Sequence, residues 1–340
     1  MYVLGIESTS HTFGIGVVEY CENNIRILAN VNDQYVPLKG GIHPREAAIH
    51  HTRVAPEVLL KALSRAGISL EELEAIAVAL GPGLGPCLRV GASLARFLAS
   101  YYDKPLVPVN HAVAHIEIGK YINRFEDPVI LYVSGGNTLV AIQRKGKYRV
   151  LGETLDLPLG NLLDTFVREI GLAPPYLVNG KHQIDVCAEW GRDFITLPYT
   201  VKGSDLSFSG LLTAALELVE KYRGDKERLG DICLSFRETV FNMLVEVTER
   251  ALVLANKREV LLVGGVASNK ILQEKLSAMT KLHNARFGST PSEYAGDNGA
   301  MIAYTGLLLY MHGITVEPDK AFIKQRWRLD EVELPWLMNY

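Results

Sequence analysis

Cysteine is scarce in this sequence, and its spacing argues against a disulfide framework. The 340 residues contain only Cys21, Cys87, Cys187 and Cys233, and no two of them form a CxxC pair. Secreted domains that depend on disulfides carry many cysteines at short intervals. The spacing therefore predicts a protein of a reducing compartment, whose cysteines behave as small buried apolar side chains.

Long apolar runs are also missing. No stretch approaches the ~20 apolar residues that a membrane-spanning helix requires. The chain opens on the strand-like run MYVLGI, with neither a basic leading segment nor a cleavable apolar core. We expect a cytoplasmic protein with no membrane partner.

Positive charge is not in excess. The sequence has 35 Lys and Arg against 38 Asp and Glu, a formal net charge of -3. Such a chain has no overall attraction for nucleic acid. An RNA partner would have to be held by a local basic patch or by other subunits.

Two common catalytic signatures are absent. No GxxxxGK[ST] loop occurs, and the prolines of GPGLGP, from Gly81, do not fit a Rossmann turn. His111 and His115 form an HxxxH pair, but Ala112 stands where HExxH metalloproteases carry their general base. A metalloprotease is therefore a weak alternative.

The sequence does contain strands that run into small polar turns, at three places. The runs from Leu4 and from Leu131 are each followed at once by a second apolar run, which predicts two β-hairpins. The run from Val260 leads instead into an amphipathic stretch, Lys270 to Met279, which predicts a helix. Two hairpins at a wide interval indicate the beginnings of two halves.

Strands and helices alternate between these landmarks, which predicts an α/β protein with mixed sheets flanked by helices. A chain of 340 residues also exceeds what one hydrophobic core usually organises. We expect an N-terminal lobe at residues 1–125 and a C-terminal lobe at 126–340. The last helix, roughly Gly299 to His312, is expected to pack back across.

His111 and His115 are candidate metal ligands at the start of a helix that Asn110 is expected to cap. Side chains four residues apart on a helix lie ~5 to 6 Å from each other, close enough to share a metal. The positive end of the helix dipole should keep both rings neutral and able to ligate. Because that dipole also opposes a cation, an anionic ligand is needed, and Asp297 is the best candidate. Two imidazoles and one carboxylate suit iron(II) or zinc.

Glycine-rich turns supply a candidate phosphate site. Ser134–Thr138, with the sequence SGGNT, and Gly264–Gly265 lack bulky side chains, so their backbone N–H groups can approach a phosphate. Any one glycine pair is weak support, because turns use glycine for steric reasons in most proteins.

These motifs together resemble the TsaD, Kae and OSGEP group of tRNA threonylcarbamoyltransferases, which belongs to the actin-like ATPase (ASKHA) superfamily. The resemblance covers nearly the whole chain. It rests on GIESTSHTFGIGVV, GGIHPREAAIHH, GPGLGPCLRVG, NHAVAHIEIG, YVSGGNTLV, LPYTVKGSDLSFSGLLT, VGGVASN and GDNGAMIAYTG. The stretches IHPREAAIHH and QRWRLDEVE are similar to the archaeal and eukaryotic branch. The resemblance implies a two-lobed actin-like ATPase fold.

The resemblance also implies the site. The metal would be held by His111, His115, Asp297 and the phenol of Tyr132, with Glu7 and the two histidines as catalytic residues. ATP or threonylcarbamoyl-adenylate, with or without Mg²⁺, would bind a second group of residues. These are Tyr132, Val133, Ser134, Gly135, Gly136, Asp164, Gly180, Lys181, Asp185 and Asn269.

Three positions depart from the family pattern. Lys181 stands where the family has glycine, four residues before its acidic residue, and Gly180 lies one position earlier. Either a one-residue insertion moves Gly180 into that role, or Lys181 lines the pocket. The acidic residue itself is Asp185 in place of glutamate, and Glu7 stands where bacterial members often have aspartate.

Other candidates have plainer interpretations. His50 and His51, near the end of a helical run, are predicted to be solvated or to anchor a loop. The loop Ser207–Gly210 could guide RNA phosphates, although turn chemistry alone explains its Ser and Gly. Trp327 and Arg328 are predicted to form a packing and interface strip.

The activity that the resemblance implies is acyl transfer to tRNA. The threonylcarbamoyl group passes from the adenylate to N6 of the adenosine 3′ of the anticodon, in tRNAs reading ANN codons, and AMP is released. The implied partners are tRNA, an upstream enzyme that supplies the adenylate, and two subunits of a KEOPS complex: a small atypical kinase and a small dimerising subunit. A nucleotide-dependent regulatory or chaperone subunit is the alternative from another class, since fold does not determine function.

Overall fold

The computed structural model describes residues 1–37 and 41–338. Gly40, with which one quoted motif begins, and the last two residues of the predicted second lobe lie outside them. The first part of the chain forms β1 (Tyr2–Glu7), β2 (Thr12–Cys21), β3 (Asn24–Gln34), α1 (Pro44–Ala66), β4 (Ala75–Gly81), α2 (Gly85–Tyr101), β5 (Leu106–Asn110) and α3 (His111–Asn123). The remainder forms β6 (Val129–Val133), β7 (Thr138–Arg144), β8 (Lys147–Glu153), α4 (Leu159–Glu169), β9 (Leu177–Val178), β10 (Lys181–His182), α5 (Gln183–Ala188), β11 (Val201–Lys202), β12 (Asp205–Leu206), α6 (Ser209–Lys221), α7 (Lys226–Leu254), β13 (Glu259–Val263), α8 (Lys270–Leu282), β14 (Arg286–Ser289), α9 (Ser292–Ala295) and α10 (Gly299–Met311).

The chain divides into two compact units. The first contains residues 1–122, 144–148 and 296–340, and the second contains 123–143 and 149–295. The first segment thus ends close to the predicted boundary at residue 125. Residues 296–340, however, belong to the first unit, whereas the predicted lobe 126–340 included them. The reason is that α10 packs on β1 and β2, which confirms the expectation that the last helix packs back across.

The first unit is built on a five-stranded sheet in the order β3-β2-β1-β4-β5. The strands β1, β2 and β3 pair antiparallel, while β4 and β5 join β1 in parallel. Every residue of β4, with the sequence AIAVALG, is buried, as expected for a central parallel strand covered on both faces. The hairpin predicted from Leu4 is confirmed by the β1–β2 pairing.

Glycines on this sheet bring α10 unusually close. A Cβ on Gly5 would lie 2.1 Å from the backbone nitrogen of Ala303, and one on Gly299 would lie 2.2 Å from that of Gly16. The helix and strands therefore pack backbone to backbone. This contact positions the start of α10, and with it Asp297 two residues earlier.

The second unit repeats the pattern with the sheet order β14-β13-β6-β7-β8. An antiparallel hairpin, β6–β7, is joined to the parallel strands β13 and β14. The hairpin predicted from Leu131 and the helix predicted from Lys270 are both confirmed. Each unit therefore holds a mixed sheet flanked by helices, as the sequence indicated.

The prediction for the cysteines is wrong for three of the four, because two form a disulfide and Cys21 is exposed. Cys187 on α5 and Cys233 on α7 form a disulfide across a sequence separation of 46 residues. Both side chains are fully buried where the two helices pack together. Cys87 is a buried free thiol and Cys21 an exposed one.

Over residues 1–37 and 41–338, no helix is both long enough and apolar enough to cross a membrane. The longest of them, α7, has 29 residues and carries charged side chains along its length.

Candidate functional site

Three metal-ligand side chains converge in the first unit. One ligand atom each from His111, His115 and Asp297 lies within 4.8 Å of the others. The Nε2 atoms of both histidines approach the same oxygen, Asp297 Oδ1, at 3.4 Å and 3.3 Å. The two histidines are almost completely buried, and Asp297 is largely so. The three residues thus point one donor atom each at one small volume.

Local structure explains how α3 presents the histidines. Asn110 ends β5 and caps the helix, because its Oδ1 accepts hydrogen bonds from the backbone nitrogens of Ala112 and Val113. The predicted cap is confirmed. His111 is consequently the first residue of the helix, and His115 lies one turn later on the same face.

Glu7, at the end of β1, contacts the ring nitrogen of His111 that does not face Asp297. Its Oε2 lies 2.9 Å from His111 Nδ1, and its Oε1 accepts a hydrogen bond from the backbone nitrogen of Thr9. Thr9 Oγ1 also lies 3.2 Å from His111 Nδ1. Because a carboxylate only accepts, Nδ1 carries a proton, which directs Nε2 toward Asp297. Metal-ligating histidines are typically oriented by a carboxylate in this way.

The electrostatics of the three groups differ. Burial lowers the pKa of His111, but the carboxylates of Glu7 and Asp297 outweigh it and raise the pKa to about 9. For His115, burial prevails and the pKa is lowered. Burial opposes ionisation of Asp297, yet the two imidazoles hold its pKa below its usual range. That both rings are neutral when they ligate a metal stays a prediction, although the two carboxylates favour the charged form of His111.

The donor set fits a divalent metal ion. Two imidazole nitrogens and one carboxylate oxygen leave further coordination positions open for a substrate oxygen. A metal bound here would replace the proton on His111 Nε2, as metal binding generally does.

His51 and His50 take the structural roles predicted for them. His51 is buried, and its Nε2 donates to the backbone oxygen of Ser10 in the β1–β2 turn. His50 pairs with Asp33. They do not end a helical run, because α1 continues to Ala66.

The second unit contains the glycine turns. Ser134 Oγ accepts from the backbone nitrogens of Gly136 and Asn137, which closes the turn between β6 and β7. A Cβ on Gly135 or Gly136 would meet nothing within 4 Å, so their backbone is open to a ligand. The N-terminus of α4 is adjacent, because Gly160 N donates to Ser134 O. A helix N-terminus beside open backbone amides is suited to an anion.

A second glycine turn packs against the first. Gly264, with φ of 94°, approaches so closely that a Cβ would lie 2.4 Å from Val133 O and 2.8 Å from the ring of Tyr132. Tyr132 is fully buried within this unit, and its hydroxyl accepts from Asn137 Nδ2 at 3.5 Å. A metal-binding role for Tyr132 stays a prediction.

The predicted nucleotide-contacting carboxylates are each held by a residue that sequence reasoning missed. Asp164, on α4, accepts from His182 Nε2 at 3.0 Å. His182 also caps α5, because its Nδ1 accepts from Ile184 N at 3.2 Å. A histidine in a turn gives no sequence signal for a contact with a residue 18 positions earlier.

Asp185, on α5, joins a buried polar network. Its Oδ2 accepts from Asn269 Nδ2 at 2.8 Å, and Arg237 Nη1 lies 3.5 Å from its Oδ1. Burial raises the pKa of Asp185, although Arg237 and His182 act in the opposite direction. Asn269 simultaneously caps α8 by accepting from Leu272 N. Arg237 was missed because nothing in α7 distinguishes it from the other charged residues of that helix.

Gly180 and Lys181, where the chain departs from the family pattern, have different roles in the structure. Asn179 and Gly180, both with positive φ, form the two-residue turn between β9 and β10. Lys181 directs its ammonium group to Glu189 Oε1 at 2.6 Å, and both side chains are exposed. Lys181 is thus tied to α5 by an ion pair, and Gly180 is the residue that the turn requires.

The loop at Ser207–Gly210 is organised by a carboxylate of the chain itself. Asp156 accepts hydrogen bonds from Ser207 Oγ, from Phe208 N, and from both N and Oγ of Ser209. These bonds hold the pKa of Asp156 well below its usual range despite partial burial. The donors at the start of α6 are therefore occupied, which supports the turn-chemistry interpretation.

The comparisons with known proteins identify the family. The family model described as TsaD: tRNA N6-adenosine threonylcarbamoyltransferase matches residues 26–304. The chain belongs to the TsaD family. The tRNA N6-adenosine threonylcarbamoyltransferase of Staphylothermus marinus is 72% identical over 338 residues, which is 99% of this chain and 100% of that protein. The enzyme of the same name from Sulfurisphaera tokodaii is 56% identical over 339 residues, which is 100% of this chain and 99% of that protein.

Solved structures support the fold alone. HypF from T. kodakarensis aligns with a TM-score of 0.59 at 17% identity, over 94% of this chain and 49% of that one. The activator of 2-hydroxyisocaproyl-CoA dehydratase from Clostridium difficile, solved with bound ADPNP, aligns with a TM-score of 0.54 at 14% identity, over 92% and 97% of the two chains. The predicted actin-like ATPase fold is confirmed, and the TsaD-family chain is a tRNA threonylcarbamoyltransferase.

Proposed function

We propose that the chain transfers the threonylcarbamoyl group from threonylcarbamoyl-adenylate to N6 of the adenosine 3′ of the anticodon, in tRNAs that read ANN codons. The observation that carries this proposal is the convergence of His111, His115 and Asp297, with Glu7 orienting the first. A site of this kind polarises and orients an acyl oxygen without requiring a nucleophile from the protein.

The reaction balances without an additional co-reactant. The N6 amine attacks the carbamoyl carbon of the mixed anhydride, a C–N bond forms, the bond from that carbon to the phosphate oxygen breaks, and AMP leaves. The amine loses one proton to solvent or buffer. The metal, when bound, supplies Lewis-acid and template chemistry at the carbamoyl oxygen. His111, His115 and Asp297 would hold it, and we infer iron(II), with zinc as the alternative.

Glu7 is assigned an indirect part. Both of its carboxylate oxygens are engaged, one by Thr9 N and one by His111 Nδ1. We therefore infer that the catalytic role predicted for Glu7 is exerted through His111, as a positioning residue.

The adenylate is assigned to the second unit. The open amides of Gly135 and Gly136 and the N-terminus of α4 suit its phosphate, with Ser134 and Val133 completing that turn. Asp164 and Asp185 are carboxylates suited to ribose hydroxyls, and Asn269 suits the adenosine side. ATP, with Mg²⁺, would occupy the same residues.

The metal assignment is tested by substitution. His111→Ala and Asp297→Ala should each remove most bound metal and most transfer activity while the protein stays folded. His50→Ala, a histidine on α1 paired with Asp33, is the matched control and should keep both. Full activity in a metal-free His111→Ala, His115→Ala double variant would contradict the assignment.

The nucleotide assignment is tested by calorimetry. Asp164→Ala and Asn269→Ala should each weaken adenine-nucleotide binding by about tenfold or more, as expected when hydrogen bonds to a buried ligand are lost. Asn161→Ala, an exposed position on the same helix as Asp164, is the control. Unchanged affinity in both site variants would place the adenylate elsewhere.

We further propose a cytoplasmic KEOPS-type complex containing a small atypical kinase and a small dimerising subunit. An open apolar groove between α1 and α2 supports a docking face for the dimerising subunit, and Phe97 and Tyr101 on it are 60% and 71% exposed. A Phe97→Asp, Tyr101→Asp double variant should not form the subcomplex with that subunit. Leu282→Asp, an equally exposed apolar position on α8, should form it normally.

The overall function is tested by reconstitution. Labelled threonine, bicarbonate, ATP, an adenylate-forming enzyme and tRNA are incubated with the chain, with and without the partner subunits. Label should appear on the adenosine 3′ of the anticodon. ATP turnover without any transfer would favour a nucleotide-dependent regulatory subunit instead.

A further inference from the structure

Residues 320–328, which we call the C-terminal strap, are unusually basic for this chain. The sequence KAFIKQRWR contains Lys320, Lys324, Arg326 and Arg328 and no acidic residue. The whole chain, in contrast, has a net charge of -3. The strap is therefore a concentrated positive segment on an acidic protein.

Hydrogen bonds to its backbone fasten the strap at the ends of β4 and β5 of the first unit. Lys324 N donates to Leu80 O at 2.7 Å, and Gly83 N donates to Gln325 O at 3.2 Å. Asn110 Nδ2 donates to Trp327 O at 3.1 Å. The strap thus follows the ends of β4 and β5, from which α2 and α3 begin.

The GPGLGP motif is shaped for this contact. A Cβ on Gly81 would lie 1.9 Å from Lys324 O, and one on Gly85 would lie 2.0 Å from Gln325 Nε2. A larger residue at Gly81 would push the strap backbone away, whereas one at Gly85 would displace the side-chain amide of Gln325. These glycines are explained by close approach of the strap, with no need for a phosphate at the turn.

The same contacts place the strap beside the metal-ligand cluster. Asn110, which binds Trp327 O, directly precedes His111. A Cβ on Gly83 would lie 2.5 Å from Thr9 O, and Thr9 contacts His111 Nδ1. On one side, Asn110 alone lies between the strap backbone and His111. On the other side, Gly83 lies between the strap backbone and Thr9, which contacts His111.

The cationic side chains of the strap face solvent. Lys320, Lys324 and Arg326 are exposed, and within residues 1–37 and 41–338 none of the three is paired with a carboxylate. Lys324 Nζ lies 4.7 Å from the centre of the Trp327 ring, and Arg96 Cζ lies 5.7 Å from that of Phe322. An anchored backbone that displays unpaired cations is prepared for a polyanion at little cost in backbone entropy.

We propose that the C-terminal strap binds phosphates of the tRNA backbone next to the acceptor adenosine. The inference rests on the proposed role of the His111–His115–Asp297 cluster as the place of transfer. RNA is the polyanion that the family's activity requires, and Lys and Arg contacts to phosphate position a nucleic acid without reading its sequence. The strap supplies locally the positive charge that the whole chain lacks.

The test compares two full-length triple variants of equal charge. Lys320→Gln, Lys324→Gln, Arg326→Gln removes three cations from the strap. Lys221→Gln, Arg223→Gln, Lys281→Gln removes three exposed cations from the end of α6, the turn that follows it, and α8. Affinity for an unmodified tRNA transcript is measured over a salt series, with bound metal and ATP affinity measured in parallel. The strap variant should bind tRNA about 10- to 100-fold more weakly near 0.15 M salt, with the log–log salt slope reduced by about two to three.

Each outcome is decisive. Weaker tRNA binding in the strap variant alone, with metal content and ATP affinity unchanged, supports the proposal. Wild-type affinity in the strap variant, or an equal loss in both triple variants, overturns it. Arg326→Gln alone, at an exposed side chain that makes no hydrogen bond or ion pair within residues 1–37 and 41–338, controls for misfolding and should lower the slope by about one. A His111→Ala variant that loses metal yet binds tRNA normally separates the strap from the metal site, while metal-free wild-type protein would refute the metal site alone.

Discussion

At the scale of single residues, Glu7 shows that the candidate metal site involves more than its three potential ligands. It is fully buried, and its carboxylate engages His111 Nδ1 and the backbone of Thr9. Glu7→Gln keeps the size of the side chain but removes its charge and leaves the ring of His111 free to adopt the wrong tautomer. We expect metal affinity to fall about 10- to 100-fold, measured by competition with a chelator.

Glu74 provides the control for Glu7. It accepts a hydrogen bond from the backbone nitrogen of Tyr2, on the strand β1 that also carries Glu7. Glu74→Gln should leave metal affinity unchanged. Equal metal affinity in Glu7→Gln and wild-type protein would show that His111 does not depend on this carboxylate.

At the scale of elements, Asp156 organises the start of α6 through hydrogen bonds to Ser207, Phe208 and Ser209. Because its pKa is depressed in the folded state, its stabilising contribution is complete above its ordinary value of 3.8. That contribution is lost as the pH falls through the range below 3.8. Asp156→Ala should lower the free energy of unfolding by about 1 to 2 kcal/mol at pH 7, as loss of a helix cap does.

Calorimetry across pH measures this effect of Asp156. The difference from wild-type protein should shrink as the pH falls below about 4. Asp193→Ala, at an exposed position of the same unit, should show no such difference. A stability difference for Asp156→Ala that is constant down to pH 2 would contradict the role assigned to the carboxylate.

The disulfide between α5 and α7 acts at the same scale. It closes a loop of 46 residues, for which chain entropy gives a stabilisation of about 4 kcal/mol. Under oxidising conditions, the Cys187→Ala, Cys233→Ala double variant should therefore unfold at a lower temperature than wild-type protein. A reductant should produce no further change in the variant. Cys21→Ser is the control. An unfolding temperature of wild-type protein that does not respond to complete reduction would contradict this.

Elements whose pattern is local were predictable from the sequence. The β1–β2 hairpin, the Asn110 cap and the helix after Lys270 each depend on residues within a few positions of one another. Relations across the chain were not predictable in the same way. The Cys187–Cys233 bond, for example, depends on the packing of α5 against α7, which brings together two cysteines 46 residues apart.

The same distinction between local patterns and long-range contacts applies to the candidate site. The HxxxH spacing on one helix turn was readable, and the need for an anionic ligand pointed to Asp297, but Asp297 was assigned to the other lobe. Its position in the first unit follows from α10 packing on β1 and β2. His182 and Arg237 escaped notice because each acts by a long-range contact with Asp164 or Asp185.

At the scale of the whole molecule, charge limits what the chain does alone. A structured anticodon loop is recognised through unstacked bases and many phosphate contacts. The chain has 35 basic against 38 acidic residues, and its basic strap offers only four cations. Binding that depends on only a few contacts between cations and phosphates is weak, and salt readily suppresses it. We therefore expect turnover to require additional surface from the proposed partner subunits.

We accordingly predict that the isolated chain binds tRNA weakly and in a strongly salt-sensitive manner, and that partner subunits raise both affinity and transfer. The measurement is tRNA affinity and threonylcarbamoyl transfer over a salt series, for the chain alone and for the reconstituted complex. Since each added phosphate contact steepens the salt dependence by about 0.7 to 0.9 units, the complex should show the larger log–log slope together with the higher affinity at 0.15 M salt. The Phe97→Asp, Tyr101→Asp variant, which should not bind the dimerising subunit, should behave in the mixture as if that subunit were absent. Multiple-turnover transfer by the isolated chain at physiological salt, at the rate of the complex, would show that its own surface suffices.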